Sequence, residues 1–178
     1  AAGNAVSNAK VDVDMYEHEF EFGTAVNSGI ITSDAMAGAL QQNFNTAVLE
    51  NDTKCNNYLK NPQNARNLYE KCLNVGIKNL RGHVLFWDRN YMDRQEYEDN
   101  SAISEELWNL EKKGNKEEIQ NYIKNHINTI TADMAKYGVK EWDVLNEACN
   151  NKLLQDKFGK EIINEWFNMA RESLGNDG

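Results

Sequence analysis

Short apolar runs typical of β-strands alternate with longer amphipathic patterns along most of this 178-residue chain. The clearest helical pattern places apolar side chains three or four residues apart, at Ile119, Ile123, Ile127, Ile130 and Met134. Strands that alternate with helices of this length pair in parallel. The order is one strand followed by four strand–helix units, and it predicts an α/β fold built on a parallel sheet.

The predicted elements have turn and capping residues at their ends. Asn61-Pro62 begins a helix that Gly76 ends, and Gly138 ends the long isoleucine-rich helix. Ser33 or Asp34 begins a shorter helix that runs to Leu40. The predicted strands are a half-exposed one at 11–15, in which Val11, Val13 and Met15 alternate with polar residues, and four more at 20–26, 44–50, 77–87 and 139–146.

Charge and hydropathy exclude several classes of partner. Acidic residues outnumber basic ones by 28 to 19, for a net charge of −9, and no lysine or arginine cluster offers a surface to nucleic acid. No apolar run reaches the ~20 residues that span a bilayer, so no membrane association is expected. The first ten residues lack the basic and apolar segments of a signal peptide.

Polar residues follow three of the predicted strands at their carboxyl ends, where parallel sheets bind ligands. They are Glu50, Asn51 and Lys54 after one strand, Arg81, His83 and Trp87-Asp88 on the next, and Asn146-Glu147 after the last. Amide and carboxylate groups pair with sugar hydroxyls, and an indole covers the apolar face of a sugar ring. A carboxylic acid such as Glu147 can protonate a glycosidic oxygen. The pattern predicts a ligand site at the strand ends, and each of its residue types has a use if the ligand is a neutral sugar chain.

Four motifs resemble those of glycoside hydrolase family 10, the xylanases. They are FGTAVN at 22–27, ENDTK at 50–54, RGHVLFW at 81–87 and WDVLNEA at 142–148, in the order and spacing of that family. The resemblance runs from about Phe20 to the C-terminus. It implies a (β/α)8 TIM barrel, of which this chain supplies about the first four βα units, and retaining cleavage of β-1,4-xylan in a secreted, cofactor-free and metal-free enzyme.

The resemblance also assigns roles to individual residues. Glu147 is similar to the family's general acid/base, and Asn146 to the residue that binds the 2-hydroxyl of the sugar being cleaved. His83 and Trp87 correspond to further contacts with that sugar. The clamp on the next sugar corresponds to Glu50, Asn51 and Lys54.

Three departures from the family pattern stand out. Asp88 occupies a position where many members carry a second histidine, although the branch with plant-like enzymes has an acidic residue there. Cys55 replaces a tryptophan after the lysine, which is expected to loosen one wall of the site. The nucleophile, which retention requires roughly 5 Å from the acid, lies on the family's seventh strand, beyond the four units present here.

The expected organisation is an N-terminal strand segment at 1–19 leading into the half barrel at 20–178. The main hypothesis is a partial catalytic domain of an endo-β-1,4-xylanase that binds xylan or xylo-oligosaccharide and is completed by a C-terminal half from the same gene or a second chain. A second hypothesis is a truncated or split relative that binds xylan without cleaving it. A third, an unrelated phosphate-binding barrel, lacks its glycine-rich loop in this sequence.

Overall fold

A computed structural model describes residues 3, 5–14, 16, 19–89 and 104–175, and in them four parallel strands alternate with helices. The sheet order is β1-β2-β3-β4, so each strand lies beside its neighbour in sequence, as in a barrel wall. The predicted parallel α/β sheet is therefore confirmed. The elements are β1 (Gly23–Val26), α1 (Ser28–Ile31), α2 (Asp34–Asn43), β2 (Thr46–Leu49), α3 (Cys55–Lys60), α4 (Pro62–Asn74), β3 (Asn79–Trp87), α5 (Glu105–Lys113), α6 (Lys116–Met134), a 3-10 turn (Ala135–Tyr137), β4 (Glu141–Asn146), α7 (Leu153–Phe158) and α8 (Ile162–Leu174).

The predicted N-terminal strand is wrong for the part of it that the structure describes. Residues 10–14 have no strand structure, and Val11 and Val13 remain 75% and 83% exposed. Met15 lies outside the described residues. Alternation alone forms no strand, because a strand needs a neighbour to accept its hydrogen bonds and cover its apolar side. The boundary between 1–19 and the barrel segment stays a prediction.

The predicted helices appear, but the side chains of Ser33 and Asn61, at the starts of α2 and α4, make no capping hydrogen bond. The Asn115 side chain accepts hydrogen bonds from the backbone N–H groups of Glu117 and Glu118, 3.1 and 3.3 Å away, at the start of α6. Gly138, in the left-handed conformation with φ of +83°, follows the turn that ends this helix. The apolar stripe of α6 is fully buried, because all of its members are at most 1% exposed: Ile119, Ile123, Ile127, Ile130 and Met134.

The core lies between the sheet and helices α4, α6 and α8. Trp166 of α8 is fully buried, with its ring centroid 4.6 Å from that of Phe86 on β3. Its indole Nε1 donates to the Gln120 side chain of α6 over 3.0 Å, which joins both helices to the sheet. No helix among the described residues combines the length and hydropathy needed to cross a membrane.

Gly82 of β3 lies directly beside Trp142 of β4, its partner in the strand pairing. A Cβ atom built on this glycine would lie 2.2 Å from the ring of Trp142, well inside van der Waals contact. Glycine is therefore the only residue that fits beneath this tryptophan, which is itself 7% exposed. The contact joins β3 and β4, which carry three of the seven predicted site residues, His83, Trp87 and Asn146.

Candidate active site

The predicted site residues lie along one edge of the sheet because the four strands run in the same direction. Val26 pairs with Leu49, so the first two strands end together, and Trp87 pairs with Asn146 at the ends of the last two. The residues that follow these positions are the ones predicted from sequence: Glu50, Asn51 and Lys54 after β2, and Glu147 after β4. A peptide bond between His83 and Val84 is cis, and the β3–β4 register shifts between His83 and Phe86.

Lys54, Asn51 and Trp87 form a contiguous group. The Lys54 ammonium donates to the Asn51 side-chain oxygen over 2.7 Å and lies 4.9 Å from the centroid of the Trp87 ring, within cation–π distance. Both Lys54 and Trp87 are less than 10% exposed. The Trp87 Nε1 donor is buried and has no hydrogen-bond acceptor among the described residues. The loop after β2 and the end of β3 are therefore joined through Lys54.

Glu50 is exposed and accepts a hydrogen bond from the Asn27 side chain over 3.0 Å. Asn27 directly follows β1, and its own side-chain oxygen accepts from the Gly29 backbone N–H over 3.1 Å. Asn27 was not among the predicted site residues. The same rule that identified the other strand ends identifies it, because it is the first polar residue after β1.

His83 forms a hydrogen-bonded group with two other charged residues. Its Nδ1 lies 2.9 Å from one oxygen of Asp143, and the Arg81 guanidinium donates to the other oxygen over 2.6 Å. Burial alone would raise the pKa of Asp143, but the bonds from His83 and Arg81 bring this pKa below its ordinary value. Because an ionised carboxylate only accepts, Nδ1 carries the hydrogen and Nε2 is left for other contacts.

Asp143 is a site residue whose direction the sequence left open. It pairs with His83 across β3 and β4, and the Thr53 hydroxyl holds the His83 backbone by donating to its carbonyl over 2.6 Å. The ring of His83 is thus fixed from the neighbouring strand and its backbone from the loop after β2. The alternation of β4 shows from sequence that Asp143 and Leu145 share one face of the strand. It does not show that Asp143 would bind His83.

Glu147 follows β4 in a left-handed backbone conformation, with φ of +48°. This region costs a non-glycine residue roughly 1 kcal/mol or more, and such residues concentrate at functional sites. Its carboxylate accepts from the Asn151 side chain over 2.8 Å, and its carbonyl accepts from the backbone N–H groups of Asn150 and Asn151, both at 3.0 Å. The side chain is exposed in this chain.

The two residues that depart from the family pattern are both buried. Asp88 is 1% exposed, and its carboxylate is directed at the start of α7, where it accepts from the Leu154 backbone N–H over 2.7 Å. Burial raises the pKa of Asp88 to about 6, against the opposing effect of the hydrogen bonds it accepts. Cys55 is the first residue of α3 and is 3% exposed, and burial raises the pKa of its thiol to about 12.

A cleft of about 280 Å³ lies beside this edge of the sheet and brings part of the predicted set together. Among the residues that the structure describes, no group of three histidine, cysteine, aspartate or glutamate side chains is placed to hold a metal ion. The cleft is lined by Ala25, Val48, Leu49, Glu50, Arg81, His83 and Asp143.

Comparison with known proteins gives one family match. The model for Glycosyl hydrolase family 10 matches residues 13–177, nearly the whole chain. Among solved structures, a psychrophilic glycoside hydrolase family 10 endo-beta-1,4-xylanase superposes with a TM-score of 0.68 at 26% identity, over 89% of this chain and 51% of that one. The Thermobacillus composti GH10 xylanase does so with a TM-score of 0.63 at 25% identity, over 86% of this chain and 43% of the other.

Two curated relatives bear different names. Anti-sigma-I factor RsgI6 of Acetivibrio thermocellus is 27% identical over 97% of this chain, and Endo-1,4-beta-xylanase 1 of Arabidopsis thaliana is 26% identical over 93% of it. The chain spans only 21% and 16% of the length of these two proteins. It spans about half of the solved barrels above.

Proposed function

The chain belongs to glycosyl hydrolase family 10, and from that premise we propose that it is the first half of the catalytic domain of a retaining endo-β-1,4-xylanase. The family and the (β/α)8 barrel, both predicted from the sequence, are confirmed. The observation that carries the activity is the placement of Glu147. It directly follows Asn146 at the carboxyl end of β4. Polar residues also follow the other strands at this edge of the sheet.

Glu147 is proposed to act as the general acid and base. As an acid it protonates the glycosidic oxygen that leaves, and as a base it activates the water that releases the sugar. A retaining mechanism also needs a carboxylate nucleophile about 5 Å away. Because the chain covers about half of the solved barrels it matches, we place that nucleophile in the other half, supplied by the same gene or by a second polypeptide.

The other predicted residues are proposed to hold two consecutive sugars. Asn146 binds the 2-hydroxyl of the sugar being cleaved. His83 and Trp87 contact the same ring. The Nε2 atom of His83 is left for such a contact because Nδ1 is bound to Asp143. Glu50, Asn51 and Lys54 bind the next sugar. The support for this second group is that the Lys54 ammonium binds the Asn51 side chain and lies over the Trp87 ring, so that its position is fixed by two neighbours.

The substrate is proposed to be xylan or a xylo-oligosaccharide, cleaved without cofactor or metal by a secreted protein. These residues offer hydroxyl-binding amides, carboxylates and an indole, which suit a neutral polysaccharide. The net charge of −9 disfavours a polyanionic one.

The decisive experiment replaces Glu147 by alanine in the complete catalytic domain. Cleavage of xylan is expected to fall by about 100- to 10,000-fold, the usual contribution of a general acid or base. The first step on a dinitrophenyl xylobioside is expected to be spared, because its leaving group needs no proton. Glu70→Ala serves as the control, since Glu70 is an exposed glutamate of α4, and should change neither rate. Equal losses on the two substrates would exclude the role.

A second candidate function is binding of xylan without cleavage. It is favoured by one finding, the similarity over 97% of the chain to a protein named as an anti-sigma factor rather than as an enzyme. The two functions differ in the unmodified complete protein. Release of reducing sugar from xylan that is lost in Glu147→Ala supports the enzyme, whereas binding of xylo-oligosaccharide with no release supports the binder.

A further inference from the structure

The loop that carries Glu147, residues 147–152, leads from β4 into α7, and the start of α7 is attached to the end of β3 through one residue, Asp88. Asp88 follows the last residue of β3, and its backbone carbonyl accepts a hydrogen bond from the Leu153 N–H over 3.1 Å. Its carboxylate accepts three more, from the Leu154 N–H at 2.7 Å, the Gln155 N–H at 3.1 Å and the Gln155 side-chain amide at 3.0 Å. Four bonds therefore join one residue to the start of α7.

These bonds fill a role that the local sequence leaves open. The first N–H groups of a helix need acceptors, which usually come from a serine, threonine, asparagine or aspartate just before it. The residue before α7 is Lys152, whose side chain makes no capping bond. Asp88 supplies the missing acceptor from another strand, so the place where α7 begins is set by β3 and not by the loop itself.

The same contacts continue to Glu147. The Gln155 amide that reaches Asp88 also donates to the backbone carbonyl of Asn151, over 3.2 Å. The side chain of Asn151 in turn donates to the Glu147 carboxylate over 2.8 Å. Glu147 is thus held at one end by β4 and at the other by a path of hydrogen bonds that ends on Asp88.

We propose that Asp88 is a positioning residue for Glu147: its buried carboxylate fixes α7 and Asn151 so that the Glu147 carboxylate is presented at the edge of the sheet. This inference rests on the proposed role of Glu147 as acid and base. Both Asp88 oxygens are occupied by donors of α7, so its side chain acts through the loop and not on the sugar.

The test replaces Asp88 by asparagine in the complete catalytic domain. Asparagine keeps one acceptor for the Leu154 N–H but turns a donor toward Gln155, which disrupts the path to Asn151. The kcat on xylo-oligosaccharide is expected to fall by about tenfold or more, because proton transfer is sensitive to position. KM and the first step on dinitrophenyl xylobioside should each change by less than about threefold.

Two further variants separate positioning from general damage. Asp156→Asn removes an exposed carboxylate of the same helix and should leave both substrates unaffected. Gln155→Ala leaves the Asp88 bonds to the helix backbone intact but cuts the path to Asn151, and it should reproduce the loss on xylo-oligosaccharide in weaker form. A loss in Asp88→Asn that is equal on both substrates, or an effect on KM alone, overturns the inference.

Hydrogen exchange gives a readout that does not depend on activity. Asp88→Asn should accelerate exchange of the backbone amides at 150–155 by about tenfold and leave the α6 amides unchanged. Unchanged exchange at 150–155 overturns the inference whether or not the protein cleaves xylan. If the unmodified complete domain does not cleave xylan, the proposed function is refuted, and the positioning role that rests on it is refuted too. Hydrogen exchange would then report only on how the loop at 147–152 is held.

Discussion

Replacing His126 should remove an acid-sensitive element from the core. His126 lies on the buried side of α6, is 6% exposed, and has no hydrogen-bond partner for either ring nitrogen among the described residues. Its ring lies edge-on to that of Tyr58, with 6.3 Å between the ring centroids. Burial lowers the pKa of His126 to about 4, from 6.5 for a free histidine. The folded protein therefore keeps this ring neutral in mildly acidic solution.

The size and sign of the effect follow from the difference between the folded and unfolded states. As pH falls below 6.5 the unfolded chain gains a proton at this histidine, whereas the folded chain gains none until about pH 4. Stability is therefore lost across that window. The loss is about 2.5 kcal/mol by pH 4.5, on the rule that one pKa unit corresponds to about 1.4 kcal/mol.

The assay is urea unfolding of the complete catalytic domain at pH 7.5 and 4.5. In the unmodified protein the free energy of unfolding should fall further between these pH values than in His126→Leu, by about 2.5 kcal/mol. His126→Gln is the control for packing, because it buries an amide that does not titrate. This variant is expected to have low stability at both pH values. Its free energy of unfolding should change with pH as little as that of His126→Leu. An unchanged pH difference, or an NMR titration of His126 near pH 6.5, would refute the reasoning.

Two more predictions concern the sheet and the sugar clamp. Gly82→Ala should destabilise the domain by about 1–3 kcal/mol in thermal unfolding, since its Cβ would lie 2.2 Å from the Trp142 ring. Gly38→Ala, in α2 with nothing within 4 Å of the added atom, should instead stabilise it by about 0.5–1 kcal/mol. Lys54→Ala should raise KM for xylo-oligosaccharide about tenfold and change kcat less, because Lys54 holds no proton that the reaction uses. The exposed Lys60→Ala of α3 should do neither, and a loss confined to kcat would contradict the clamp.

Periodicity predicted the elements that bury an apolar side against the sheet. The isoleucine stripe of α6 and the strand before Trp87 were found because each repeats the geometry of its own element. The strand at 11–15 failed for the complementary reason. Val11 and Val13 have the right spacing, but whether they pair depends on a neighbour that their own sequence does not specify.

Motif and strand-end reasoning selected residues at the carboxyl ends of the strands but not the residues that hold them in place. Asp143 and Asp88 are fixed by contacts with residues 60 to 67 positions away in the sequence. The resemblance treated Asp88 as a departure from a histidine, and only the tertiary structure gives its partners on α7. The environment of His126 also required the structure. Spacing places this residue on α6, but it does not show that both ring nitrogens lack hydrogen-bond partners among the described residues.

Several contacts of the candidate site reach β3, although Glu147 and Lys54, the proposed acid and a proposed clamp residue, lie after other strands. The loop after β2 reaches β3 through Thr53, which binds the His83 carbonyl, and through Lys54, which covers Trp87. Strand β4 binds the His83 ring through Asp143. The start of α7 binds Asp88, the residue after β3. Because the loops after β2 and β4 are both bound to residues at 83–88, small shifts of β3 would displace Lys54 and Glu147 together. Substitutions along 81–88 should therefore be non-additive with those at Lys54 and Glu147.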